Sequence, residues 1–133
     1  MQGKKGVKVN FEFDQTTPIY QQLVTQLSEL MLTGVYQAGE RIPSTTQLSQ
    51  ELHINPATVR KAMNILVDQG LLVKQRGIGM FVTDQSQAMI VKQHQDEFFD
   101  EYVVKVIAEA KRLGISQTEL MSLIERGYDH GNN

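Results

Sequence analysis

The sequence predicts a mainly α-helical chain with one small β-hairpin, arranged as a three-helix-and-hairpin domain followed by a two-helix tail. Three observations carry this expectation. Two short amphipathic stretches, Thr45–Leu52 and Pro56–Asp68, are separated by a tight break at His53-Ile54-Asn55. Two short apolar runs then flank Gln75-Arg76-Gly77-Ile78-Gly79, a hairpin pattern. Beyond residue 83, helical periodicity returns twice without a strand pattern.

The first ten residues are polar and basic with two glycines, and residues 1–10 are expected to form a flexible basic arm. Phe11 and Phe13 alternate with Glu12 and Asp14, as in a short extended segment packed on one face. From Pro18 to about Leu32, Ile19, Leu23, Leu27, Leu30 and Met31 recur at helical spacing, with Thr17 as the expected cap. In the second helix Leu48 and Leu52 are four apart. Ser44 precedes it, with Gln47 placed to complete a capping box. Asn55 caps the third helix, whose first position is Pro56, where the missing N–H removes no hydrogen bond. Val59, Ala62, Met63, Leu66 and Val67 form its apolar stripe, while Thr58, Arg60, Lys61 and Asn64 fall largely on the other side. Gly70 is the expected helix stop, followed by strands Leu71–Lys74 and Met80–Thr83.

A helix, a turn, a second helix with a basic and hydroxylic face, and then a glycine-rich hairpin bearing arginine is the order of a winged helix-turn-helix. This places residues 11–83 as a DNA-binding domain with double-stranded DNA as partner. Arg60 is the first candidate for a base or phosphate contact, with Asn55, Ala57, Thr58 and Lys61 near the groove. Ser44, Thr45 and Thr46, at a helix N-terminus, are expected to hold phosphate through hydroxyls and backbone N–H groups. Arg76, with Gly77 and Gly79, forms a hairpin tip able to approach the minor groove or the backbone.

The formal charge of −2 looks wrong for such a role until its distribution is considered. Lys4, Lys5, Lys8, Arg41, Arg60, Lys61, Lys74 and Arg76 precede the tail, whereas Asp96, Glu97, Asp100, Glu101, Glu109, Glu119 and Glu125 crowd the last third. That acidic run reads most simply as a solvated helix surface.

The same residues resemble the GntR family of bacterial transcription regulators. The family's opening P-I/L-Y-x-Q-L is matched by Pro18-Ile19-Tyr20-Gln21-Gln22-Leu23, and its I/L-x-x-G step by Met31–Gly34. Ala38–Ser44 corresponds to P-G-x-x-L-P-S. Leu48, Leu52, Ile54 and Thr58-Val59-Arg60 fit L-x-x-x-L-x-V-x-x-x-T-V-R, and Arg76–Val82 fits R-G-x-G-x-F-V. The resemblance covers about half of the chain and implies the winged fold, DNA binding, regulation of transcription and, as the commonest output, repression. One position departs: the family usually carries an arginine where this chain has Thr46, and in relatives that arginine commonly contacts DNA. Threonine can bond a phosphate but cannot make the bidentate contact to guanine.

The tail, residues 84–127, is expected to hold two helices, and residues 128–133 a disordered terminus. Asp84 or Ser86 is placed to cap a long helix ending near Gly114, with a broken apolar stripe. A second helix begins at Ser116, capped with Glu119 and stopping at Gly127. About fifty residues are too few for a large effector-binding domain, which places the chain nearest the small-tail, YtrA-type subfamily. There the resemblance implies a C-terminal dimer interface and, often, a membrane-transporter operon as the regulated target. Phe98, Phe99, Tyr102, Val103, Val106 and Ile107, with Leu120, Leu123 and Ile124, are the interface candidates, because such a cluster is too apolar to leave in water. A homodimer also matches a palindromic operator. The competing reading of the cluster is a fold-back onto the chain's own winged domain.

Other classes are disfavoured. No cysteine is present, which removes disulfides, thiolate catalysis and cysteine-based zinc sites. His53, His94 and His130 show no metal-ligand spacing, and neither a phosphate-binding glycine loop nor a nucleophile–base pair is evident, so no enzyme, metal site or cofactor is expected. The absence of a leader or a long apolar run predicts a cytoplasmic protein with no membrane partner. The alternative of a winged-helix protein-interaction adaptor without DNA binding is weakened by the retained basic side chains Arg60, Lys61, Lys74 and Arg76. A small-molecule effector is left open. Met89, Met121 and the tail aromatics could line a crevice, but at those spacings they are more often core.

Overall fold

The computed structural model describes residues 10–131. Its elements run α1 (Ile19–Leu32), α2 (Thr45–Leu52), α3 (Pro56–Asp68), β1 (Leu72–Gln75), β2 (Gly79–Val82), α4 (Ser86–Phe98), a π-helical turn (Phe99–Val103), α5 (Val104–Arg112) and α6 (Gln117–Gly131). Two compact units divide between Lys92 and Gln93.

In the first unit α3 is the central element, packed against α1, α2 and β1. Its Val59, Ala62, Met63 and Leu66 are fully buried and meet Leu23, Leu27 and Met31 of α1, Leu48 of α2 and Leu72 of β1 in one core. At roughly 1.5–3 kcal/mol for each large apolar side chain removed from water, this cluster is the main source of the unit's stability. The basic arm expected over 1–10 lies, apart from Asn10, outside the described residues.

Ahead of α1, Phe11 and Phe13 stack with ring centroids 6.2 Å apart and pack on the core. Two glutamines of α1 hold this extended segment as a neighbouring strand would. Gln26 accepts from Glu12 N (3.1 Å) and donates to its carbonyl (2.6 Å), while Gln22 accepts from Asp14 N (3.0 Å) and donates to its carbonyl (2.9 Å). Gln22 also donates to the carbonyl of Thr17 at 2.6 Å. Thr17 does not cap α1: Pro18 holds the N-cap position, without a side-chain cap bond, and its carbonyl accepts from the N–H groups of Gln21 and Gln22.

The helix-turn-helix is fixed by its caps. Ser44 Oγ accepts from Gln47 N (3.0 Å) and Gln47 Oε1 from Ser44 N (2.9 Å), the reciprocal box anticipated from sequence. His53 ends α2 in the left-handed region at φ 56°, and Ser49 Oγ donates to the carbonyl of Ile54 at 2.6 Å to close the turn. Asn55 Oδ1 then accepts from Ala57 N at 2.7 Å, starting α3 at Pro56.

Gly70, at φ 82°, stops α3. Leu71 N still donates to the carbonyl of Leu66, so the first strand begins one residue later than expected, at Leu72. The hairpin pairs Leu72 with Val82 and Gln75 with Gly79, leaving Arg76, Gly77 and Ile78 as its tip. Glu40–Ile42 joins the free edge of β2: Val82 N donates to Glu40 O (2.9 Å), Ile42 N to Met80 O (3.0 Å), and Arg41 bridges Phe81.

The start of α4 belongs to the first unit. Ser86 and Ile90 are buried there, and Gln87 Nε2 donates to the carbonyl of Leu32 at 2.8 Å. The unit boundary therefore lies inside α4, beyond the junction expected at 83–84. In the second unit, Val104 N donates to Phe99 O, an i→i+5 bond that inserts one extra residue and turns later side chains by roughly 100°. This explains why the apolar stripe of the long helix is broken in the sequence. Ser116 and Glu119 form the anticipated second capping box. The stop expected at Gly127 does not occur, because Gly127 lacks the left-handed φ of Gly114 and is carried within the helix. Tyr128–Gly131, expected as disordered terminus, is accordingly helical, and residues 132–133 lie outside the described residues.

Candidate nucleic-acid interface

The N-terminus of α2, the exposed side of α3 and the hairpin enclose an open groove of about 300 Å³. Ser44, Thr45, Arg60, Met63, Asn64, Lys74, Gln75, Gly77, Ile78, Gly79 and Met80 line it. It holds two cations, Arg60 and Lys74, and no carboxylate, so its field is positive. An exposed cation, Arg76, stands at the hairpin tip.

Of the eleven residues singled out from sequence, Ser44, Thr45, Arg60, Gly77 and Gly79 are brought together in this groove. Thr46, Asn55, Ala57 and Arg76 are exposed and Thr58 half-buried, all outside its lining. Lys61 is held differently, with its ammonium 4.1 Å from the ring centroid of Tyr20 on α1, a cation–π contact. Its neighbour along α3 is thus the first helix rather than the hairpin.

The capping box decides which backbone donors remain at α2. Ser44 N and Gln47 N are consumed by it, whereas Thr45 N and Thr46 N have no intramolecular acceptor among the described residues. These two, together with the Ser44 hydroxyl proton, are the unspent donors at the helix end. Asn55 spends its carbonyl oxygen on the α3 cap and keeps its amide N–H₂ for an external acceptor. Gly77, at φ 79°, and the Ile78 N to Gln75 O bond (2.9 Å) turn the tip, a conformation that disfavours a side chain there.

Asn64 and Gln75 are groove residues that the sequence reading left unassigned to the site, and Lys74, counted there only among the retained basic side chains, lines the groove with them. Asn64 was legible as Arg60's neighbour one turn on, whereas strand alternation puts Lys74 on the same face as the buried Leu72 and gives no sign of its place in the groove.

A second feature lies wholly within the second unit. Phe98, Tyr102, Val103, Val106, Ile107, Leu120 and Ile124 line an apolar groove of about 700 Å³, together with Ala110, Lys111, Ile115, Gln117, Met121 and Tyr128. Phe99 and Leu123, the other two tail candidates, are exposed but not part of it. Phe98 and Tyr102 touch through tilted rings at 5.3 Å and are more than half exposed.

Among the described residues, no group of histidine, aspartate and glutamate is arranged to hold a metal ion. Among them, too, no helix is long and apolar enough to cross a membrane.

Residues 19–82 match the family model described as bacterial regulatory proteins, gntR family. The HTH-type transcriptional repressor YtrA of Bacillus subtilis is 29% identical over 110 residues, covering 83% of this chain and 84% of that protein. A transcriptional regulator from Oenococcus oeni of known structure aligns with a TM-score of 0.73 at 26% identity, over 86% of this chain and 94% of that one. The DNA-binding domain of AraR, solved in complex with operator ORX1, aligns at 32% identity and a TM-score of 0.51 over 57% of this chain and 95% of its own.

Proposed function

We propose, because this chain belongs to the gntR family of bacterial regulatory proteins, that it is a cytoplasmic repressor that binds a palindromic operator as a homodimer. The class itself, a DNA-binding transcription regulator, follows from the family. The specific reading rests on one observation above the others: the carboxylate-free groove that gathers Arg60, Lys74 and the N-terminus of α2 at Ser44 and Thr45.

In this reading residues 11–83 are the DNA-binding domain. Helix α3 enters the major groove with Arg60 toward a base edge or phosphate. Thr58 and the Asn55 amide lie at its N-terminal end, where recognition helices of this kind make their base contacts. Thr45 and Thr46 N–H and the Ser44 hydroxyl bind a phosphate. Arg76 follows the adjacent backbone or minor groove from the hairpin tip, with Gly77 and Gly79 allowing close approach. Lys61, drawn toward Tyr20, adds charge on the α1 side. Thr46 can bond a phosphate but leaves this position without the bidentate guanine contact that an arginine is able to make.

The tail supplies the second half of the reading. An apolar groove of about 700 Å³ rimmed by half-exposed aromatic rings suits a matching surface of a second copy, as an isologous interface requires. Two copies present two α3 helices to half-sites about 34–36 Å apart. A bound dimer blocks transcription by occupancy.

The test is an anisotropy titration of the chain with the DNA upstream of its own gene, in the presence of excess nonspecific duplex and at several salt concentrations. Binding that survives competitor with a stoichiometry of two chains per site is the expected result. Arg60→Ala should weaken it by about 1–3 kcal/mol, roughly 5- to 150-fold. Unchanged affinity in that variant removes Arg60 from the interface, and binding fully competed by random duplex removes sequence specificity.

A further inference from the structure

We propose that Arg41 is a further cation of the wing, besides Lys74 and Arg76, placed to bind a DNA backbone phosphate beside the hairpin. The inference rests on the DNA-binding reading above and adds a contact to it. Arg41 stands at a position that the family pattern leaves unspecified, and it lies outside the groove of Arg60 and Lys74.

Its backbone is fixed. Glu40–Ile42 runs along the free edge of β2, with hydrogen bonds on either side of Arg41 (Val82 N to Glu40 O, 2.9 Å; Ile42 N to Met80 O, 3.0 Å). Arg41 therefore faces Phe81, and Gly79, two residues earlier, lies on the same face of the strand toward the tip.

Its side chain is directed along that face. A Cβ built on Gly79 would lie 2.6 Å from Arg41 Nε and 3.3 Å from both Cδ and Cζ. The arginine stem thus occupies the space that a side chain at Gly79 would fill. Gly79 is at φ 154°, so glycine there both permits the backbone conformation and seats the arginine. This gives Gly79 a role besides close approach to DNA.

The guanidinium remains unneutralised. Arg41 is exposed, and among the described residues no carboxylate pairs with it and no acceptor takes its hydrogen bonds. A planar fork with several free N–H donors, held on the edge of a hairpin that follows DNA, matches the oxygens of a backbone phosphate. The edge position favours phosphate over a base, because base edges are reached by elements inserted into a groove. Lying against Gly79 also limits the rotamer freedom that a solvated arginine loses on binding.

The experiment compares the full chain with Arg41→Ala and Arg41→Lys, each titrated against the operator and against a random duplex at several salt concentrations. One lost phosphate contact makes the slope of log K against log[salt] shallower by about 0.9, which corresponds to about fivefold weaker binding at 0.15 M salt. The alanine variant is expected to show both changes, equally on the two duplexes, and the lysine variant to recover most of each. A side chain that merely covers the wing would alter thermal stability and leave the salt slope in place. An unchanged slope in Arg41→Ala overturns the proposal, as does a loss confined to one operator sequence. Failure of the unaltered chain to bind any duplex overturns the DNA-binding reading itself, a different outcome from failure of Arg41 alone.

Discussion

Truncating Phe98 to alanine tests the proposed homodimer most directly. The ring lines the apolar groove of the second unit and is 55% exposed in the single chain. A phenylalanine side chain offers roughly 150–250 Å², so about 100 Å² remains for a partner to cover. At about 25 cal/mol per Å² that is about 2.5 kcal/mol per copy. A two-fold interface contains the contact twice, giving about 5 kcal/mol per dimer, or a dissociation constant raised by three to four orders of magnitude. If the partner covers half of the exposed ring, the effect is still near a hundredfold. Within one chain the variant loses the contact with Tyr102, about 0.5–1.5 kcal/mol, and circular dichroism should confirm that the helices persist. Sedimentation velocity with a fluorescent label, from nanomolar to micromolar chain, reads the change as a shift of the dimer-to-monomer midpoint. Val73→Ala serves as the control: Val73 is comparably exposed at 45% but stands in β1, outside the tail, and should leave the midpoint in place. An unchanged midpoint for Phe98→Ala, or a chain that is monomeric throughout, refutes the assignment of this groove to a second copy.

Two further outcomes follow from the caps. Ser44→Ala removes the acceptor of Gln47 N and should lower the stability of the first unit by about 1 kcal/mol, seen as a lower urea midpoint without a change in slope; an unmoved midpoint would show that the box contributes nothing. The backbone N–H of Ser116, and then its side chain, hold the Glu119 carboxyl below its ordinary value of 4.5, so the start of α6 gains stability that is complete above pH 4.5 and lost as pH falls through the depressed value. An NMR titration of the Glu119 carboxyl carbon should therefore give a midpoint below 4.5, and a midpoint at or above it contradicts the capping geometry.

The parts of the fold visible in the sequence are those written in local chemistry. Ser44 with Gln47, Asn55 before Pro56, and Gly70 after the last apolar residue of α3 each specify a terminus through a side chain or a φ angle within a few residues. Features in which two local signals compete for the same terminus were not visible. Thr17 has the chemistry of a cap, yet Gln22 engages its carbonyl and Pro18 takes the cap position. Gly127 has the chemistry of a stop, yet nothing forces a left-handed turn there and the helix continues. The strand start moved by one residue because Leu71 N is claimed by the end of α3. The candidate site divides in the same way. Arg60 is legible from the helical pattern alone, whereas the inclusion of Lys74 and the seating of Arg41 on Gly79 follow from the hairpin folding back toward α2 and α3.

The π-helical turn at Phe99–Val103 has a consequence for how this stretch can vary. In any helix the residue count sets the phase, and here one surplus residue sets which way every later side chain points. Deleting any one of these five residues would let the hydrogen-bonding relax to the common pattern at little local cost, while Val106, Ile107 and Ala110 swung about the axis by roughly 100° and the apolar groove lost its wall. Exchanging one side chain for another of similar size would leave that phase intact. The segment should therefore be strict toward insertion and deletion, and tolerant of exchanges that keep size and apolar character where Tyr102 and Val103 line the groove.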